Sequence, residues 1–248
     1  MKIFPDKQLT VKETWLASFW LYSKVFPHVW PQAAVIGITM IMMTWVNVHI
    51  VAPLVNVQAP TKIKLSDIMS VNGGYILACL IALFFVIYLG GVLLHRIYVI
   101  GKEQETTLYD SLIFVGKKYF QVVSGALLVL CICLFGTIAL LLPGIFLFVS
   151  LIMVQPLILF DDKGCFAALK SSYKLVWGNW WHTFAILCPL MIFNYAAGFS
   201  AQFISSHGWW YGALASALVI TLFYPLFYAC ILIQFGDLKL RHHTKYKL

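Results

Sequence analysis

Few residues in this sequence could do chemistry, and they lie close to its charged stretches. Asp161 and Asp162 are adjacent and are followed by Lys163. Such a pair could ligate a divalent cation or meet a lipid amine. A magnesium site needs further oxygen ligands within reach, and the sequence nearby offers none. The pair therefore reads as a solvated stop at a helix end. Ser171, Ser172 and His182 could supply a nucleophile and a base. No sharp-turn motif surrounds the serines, and no carboxylate is placed to orient the histidine. Ser172 thus reads as a small residue that lets a helix pack. Cys131 and Cys133 lack the His, Cys or carboxylate neighbours of a metal site, and buried cysteine behaves as a small hydrophobe. His242 and His243 sit in a basic tail. No catalytic residue, metal or cofactor is expected, and the reading is of a non-enzymatic protein.

Two further groups remain. Lys117, Lys118, Lys170 and Lys174 lie beside apolar segments, where an ammonium could hold an anionic lipid headgroup at about 1 kcal/mol each. Gln155 and Asn194, with His49 and Gln234, are among the few polar residues inside long apolar runs. They could hydrogen-bond between helices or line a path for an amphiphile.

The elements that must position these residues follow from composition. Of 248 residues, 62% are hydrophobic and 10% charged, against about a quarter charged in a soluble domain. Continuous apolar blocks of roughly 20 residues read as membrane-spanning helices, whereas a barrel would show short alternating segments. The expected fold is an all-α polytopic membrane protein with six spans, near 32–53, 75–97, 121–142, 144–160, 182–201 and 212–235. Pro143-Gly144 reads as a tight turn between the third and fourth. Pro156, Pro189 and Pro225 read as interruptions of the last three. Of 17 Lys and Arg residues, 15 fall on one side of this arrangement, and only Lys62 and Lys64 on the other. Positive charge in short loops stays cytoplasmic, so both ends of the chain are expected inside, with the first span acting as an uncleaved anchor. The net charge of +8 is then a membrane-surface signal, and nucleic acid is not an expected partner.

The sequence also repeats. WLASFWLYSKVFPHVW from Trp15, LYDSLIFVGKKYFQVV from Leu108 and ALKSSYKLVWGNWWHTF from Ala168 align on Ser18, Ser111 and Ser172. Eight residues after each serine stands an aromatic: Phe26, Tyr119 or Trp180. In the third stretch Phe166, Leu169, Tyr173, Val176 and Trp180 recur at helical spacing opposite Lys170 and Lys174, which reads as an interfacial amphipathic helix. The expected unit is one interfacial helix plus a helical hairpin. It is used three times, over roughly 10–105, 106–164 and 165–240, within a single integral membrane domain of residues 1–248.

The stretch Leu142–Trp181 carries Pro143-Gly144, Pro156, Asp161-Asp162, Ala167-Ala168-Leu169-Lys170, Ser172, Leu175 and Gly178-Asn179 before an aromatic pair. It resembles the YciC-like family of bacterial inner-membrane proteins. It is also similar to the membrane domain that accompanies some glycerophosphodiester phosphodiesterases. The ending Phe235-Gly-Asp-Leu-Lys-Leu-Arg241 resembles the family's own. Family members often carry an arginine near the place of Ser150, so no role of that arginine transfers. The resemblance implies a multi-pass protein of the bacterial inner membrane and supplies no activity. The expected function is envelope or membrane organisation through anionic phospholipid, with a homo-oligomer or another membrane protein as a further partner. The alternative is a transporter or flippase for a lipid or other amphiphile.

Overall fold

The computed structural model describes residues 5, 7–46, 65–205 and 208–245, and the regular elements among them are all helices. In chain order these are α1 (Val11–Val46), α2 (Leu65–Gly101), α3 (Leu108–Lys117), α4 (Tyr119–Ala139), α5 (Leu141–Leu151), α6 (Val154–Phe160), α7 (Cys165–Trp177), α8 (Trp180–Ile204) and α9 (Trp209–Lys245). Six stretches are long and apolar enough to cross a membrane: Val11–Val46, Leu77–Gly101, Tyr119–Ile138, Leu142–Phe160, Trp180–Ala201 and Trp209–His242. His49, Lys62 and Lys64 lie outside the described residues.

The stretch expected to form a first interfacial helix is continuous with the first span in one element, α1. Thr10 and Glu13 start α1 as a capping box. The Glu13 N–H donates to Thr10 Oγ1 (3.3 Å), and the Thr10 N–H donates to Glu13 Oε2 (2.9 Å). The helix then runs through Pro27 and Pro31 without a break. Leu21, Val25, Val29, Ala33 and Ile36 form one buried stripe across both prolines, so packing offsets the backbone bonds that proline removes. In the other two stretches the short helix and the span are separate elements. They part at Lys118 and at Gly178-Asn179. Ser18, Ser111 and Ser172, which align in the sequence, are all fully buried.

The prolines behave in three ways. The α4–α5 turn is made by Leu140 alone, in extended conformation (φ −165°, ψ 146°). Pro143 falls in the first turn of α5, where a missing N–H costs little. Gly144 serves close approach, not the turn. A Cβ there would meet Thr137 Oγ1 and lie 3.0 Å from Thr137 Cα. The break between α5 and α6 falls at Ile152-Met153. Ile152 is four residues before Pro156, the carbonyl a proline ring displaces. Pro189 and Pro225 do not interrupt their spans, and α8 and α9 continue through them.

The core is densest toward one end of the bundle. Every residue from Tyr228 to Leu238 of α9 is buried, so this segment is enclosed on all sides. Around it lie α1, α2, α7 and α8. Small residues bring the backbones together. A Cβ on Gly37 would lie 2.9 Å from the Ala217 carbonyl oxygen, and one on Gly212 would lie 2.6 Å from that of Ala201. The apolar face of α7 is divided between protein and surroundings. Ala168, Ser172 and Val176 are its buried stripe, while Phe166 is 77% exposed and Tyr173 and Trp177 also face outward. Lipid is as apolar as a core, so small residues take the helix contact and bulky aromatics face out.

Candidate functional site

The charged segments meet at the dense end of the bundle, and they meet through specific bonds. Asp237 is completely buried. Its Oδ1 accepts the Leu9 N–H (2.7 Å), and its Oδ2 accepts Arg241 Nε (2.6 Å) one turn further along α9. Arg241 Nη2 donates back to the Leu9 carbonyl and lies 3.5 Å from His182 Nε2, while Nη1 reaches Asn179 Oδ1 (3.4 Å). Gln234 Nε2 donates to Thr183 Oγ1 (3.0 Å) and stands 3.3 Å from His182 Nδ1. The segment preceding α1 and the α7–α8 turn are thereby clasped onto α9.

The adjacent carboxylates are joints between elements. Asp161 pairs with Lys239 of α9 (2.5 Å), and Asp162 pairs with Lys118. Lys118 also donates to the Leu159 carbonyl (2.8 Å). Asp162 has φ 52°, a left-handed turn uncommon for a residue with a side chain. The Asp161 and Lys163 N–H groups both donate to the Leu157 carbonyl, at 3.2 and 3.4 Å. That tight reversal sends Lys163 back beside α7.

The result is a cavity of about 330 Å³ lined by Leu157, Asp161, Lys163, Ser171, Lys174, Leu175, Lys239 and His242. Ser171, Lys174 and Leu175 share one face of α7, and Lys239 and His242 share one face of α9, by the i, i+3, i+4 spacing of a helix. Lys163 Nζ donates to Ser171 Oγ (2.9 Å). Ser171 then keeps its own O–H to donate. Lys174 has no hydrogen-bond or ion-pair partner among the described residues. Three ammoniums less one carboxylate leave a net charge of two positive.

Of the lysines expected at a headgroup, only Lys174 lines this cavity. Lys118 is engaged with Asp162 and Leu159, and Lys117 and Lys170 are exposed elsewhere. Lys163 and Lys239 were not singled out by sequence as headgroup contacts, because each sits near acidic neighbours that mask it in a local count, and Ser171 was considered only as a nucleophile. Ser172 is not beside them: its Oγ donates to the Ser150 carbonyl (2.8 Å), tying α7 to α5. His182 faces Gln234 and Arg241 instead of a serine. Among the described residues no group of three or more His, Cys, Asp or Glu side chains is placed to hold a metal.

Two further concavities are largely aromatic. An open recess of about 810 Å³ is bordered by Phe146, Trp177, Trp180 and Trp181, with His182 as its titratable group. A cleft of about 430 Å³ lies between the α4–α5 hairpin and α8–α9, lined by Thr137, Phe148, Asn194, Tyr195, Tyr224 and Phe227 among others. Asn194 is exposed there, and Gln155 is half-buried on α6. The polar contacts between spans include those of Gln234 and a bond from Gln32 Nε2 to the Leu89 carbonyl (3.4 Å).

No curated protein sequence and no solved structure matches this chain. A family model described as a domain of unknown function, DUF7847, matches residues 108–233. That match covers just over half of the sequence, running from α3 into the buried part of α9, so the chain belongs to the DUF7847 family.

Proposed function

We propose that this is a non-enzymatic, multi-pass membrane protein that organises the membrane by holding anionic phospholipid at the dense end of its bundle. The observation that carries the reading is the convergence of Lys163, Lys174 and Lys239 with Ser171 on one cavity between apolar walls. Each ammonium near an anionic surface contributes about 1 kcal/mol. The excess of basic residues at that end supports a cytoplasmic orientation with both ends of the chain inside. The likeness of Leu142–Trp181 to YciC-like proteins and to the membrane domain of glycerophosphodiester phosphodiesterases supports a bacterial inner membrane. The three buried serines support a threefold repeat.

The test is native mass spectrometry of the protein released gently from membranes. Lys163→Gln/Lys174→Gln should lose retained anionic lipid, while Lys117→Gln/Lys170→Gln should keep it. Equal retention by both variants would sink the reading. A second reading, a transporter or flippase for an amphiphile, is favoured by the cleft around Asn194 and by the helix break before Pro156. It predicts that Asn194→Leu abolishes movement of a labelled lipid between leaflets of reconstituted vesicles without changing lipid retention.

A further inference from the structure

We infer that the lysine cavity selects a phosphomonoester dianion over a phosphodiester, an inference that rests on the anionic-lipid reading above. The donor set is unusually one-sided. Lys163 spends one N–H on Ser171 (2.9 Å) and, with three donors per ammonium, retains two. Lys174 retains all of its donors. Lys239 is held by Asp161 (2.5 Å), so the single carboxylate is already neutralised by a lysine of the same cavity. Ser171 accepts from Lys163 and offers its hydroxyl hydrogen inward. The cavity therefore presents ammonium and hydroxyl donors with no uncommitted carboxylate, and it carries a net charge of two positive.

A phosphodiester brings one negative charge and two free oxygens. A phosphomonoester brings three acceptor oxygens and a charge between about −1.5 and −2 near neutral pH. Its charge matches that of the cavity, and its third oxygen finds a donor that a diester leaves idle. These donors are exposed or half-buried, so one left idle falls back on water and the preference rests mainly on charge. The volume of about 330 Å³ holds a headgroup and not a whole lipid. Leu157 and Leu175 give it an apolar wall along which the esterified carbon can leave. The shared chemistry could come from a lipid, phosphatidic acid being the simplest, or from a small soluble phosphomonoester.

The test uses the full chain in nanodiscs of phosphatidylcholine with an equal mole fraction of either phosphatidic acid or phosphatidylglycerol. Retained lipid is counted by native mass spectrometry. Phosphatidic acid should be retained roughly five- to tenfold over phosphatidylglycerol, the value of one extra charge near a basic surface. Lys174→Gln, whose side chain supports no other contact, should cut that ratio to about two. Failure of glycerol 3-phosphate to displace the lipid assigns the site to a membrane phosphomonoester. Full displacement by glycerol 3-phosphate keeps the phosphomonoester inference and assigns the source to a soluble compound. Equal retention of the two lipids, lost together in Lys163→Gln/Lys174→Gln, overturns the selectivity while leaving the anionic-lipid reading intact. Retention of neither lipid overturns both.

Discussion

Breaking the clasp between Asp237 and Arg241 gives the sharpest test of how this fold is held. In Arg241→Met the Asp237 carboxylate stays completely buried and keeps only the Leu9 N–H. The variant also removes the donors to the Leu9 carbonyl and to Asn179. Removing one partner of a buried ion pair costs about 3–5 kcal/mol. The Arg241 side chain keeps 19% exposure, so water already reaches it, and a loss of about 2–3 kcal/mol is expected. Asp237→Leu should cost a similar ~2–3 kcal/mol, because it leaves the Leu9 N–H unpaired as well. The double variant leaves no buried charge, so its cost should fall well short of the sum. A coupling energy of roughly 2 kcal/mol follows for the cycle. The assay is reversible denaturant unfolding in mild detergent, followed by tryptophan emission, with proteolysis of the segment before Val11 as a second readout. Singles that add to the double within about 0.5 kcal/mol would refute the clasp as a coupled unit.

Three other outcomes follow from local geometry. Gly144→Ala should destabilise by about 1–3 kcal/mol, because its methyl group meets Thr137 at the tightest point of the α4–α5 hairpin; unchanged unfolding would contradict that packing. Pro156→Ala should restore a backbone donor toward Ile152 and let α5 and α6 join. Hydrogen exchange at residues 152–156 should then slow, and continued fast exchange would place the cause of the break elsewhere. The Thr107 hydroxyl and N–H, bonded to Asp110, hold that carboxyl below the usual range. A lowered folded-state value means its contribution is present above the unfolded pKa of about 4 and is lost as pH falls through the folded value. Thr107→Ala should therefore lower the melting temperature at neutral pH and much less in strong acid, read by thermal unfolding across that range.

The spans were legible because length and apolarity decide them and no partner is needed to read either. Pro156 was legible too, since its effect falls on the carbonyl of Ile152, four residues back, a relation fixed by helix geometry. Pro189 and Pro225 look the same in sequence, yet their helices continue. Tertiary packing decides whether a freed carbonyl becomes a break, and packing is not a local property. The same limit explains α7. Spacing put Phe166, Leu169, Tyr173, Val176 and Trp180 on one apolar face, and apolarity alone does not separate the residues that meet protein from those that face out. With lipid outside, burial goes to Ala168, Ser172 and Val176, and only the size of the residues, not their apolarity, signals it.

The charged residues show the harder case. Lys174, like Lys170 on the same helix, was found because no acidic residue lies beside it in sequence. Lys163 and Lys239 were hidden because Asp161, Asp162 and Asp237 lie beside them in sequence. In space those carboxylates are spent: Asp162 on Lys118, Asp237 on Arg241, and Asp161 on Lys239 itself. Two of the three thus neutralise charges outside the cavity. Sequence proximity counted them against the very lysines they leave uncompensated. A net positive cavity therefore emerges from stretches that read as balanced, and the folding bonds that consume the acids are what create it.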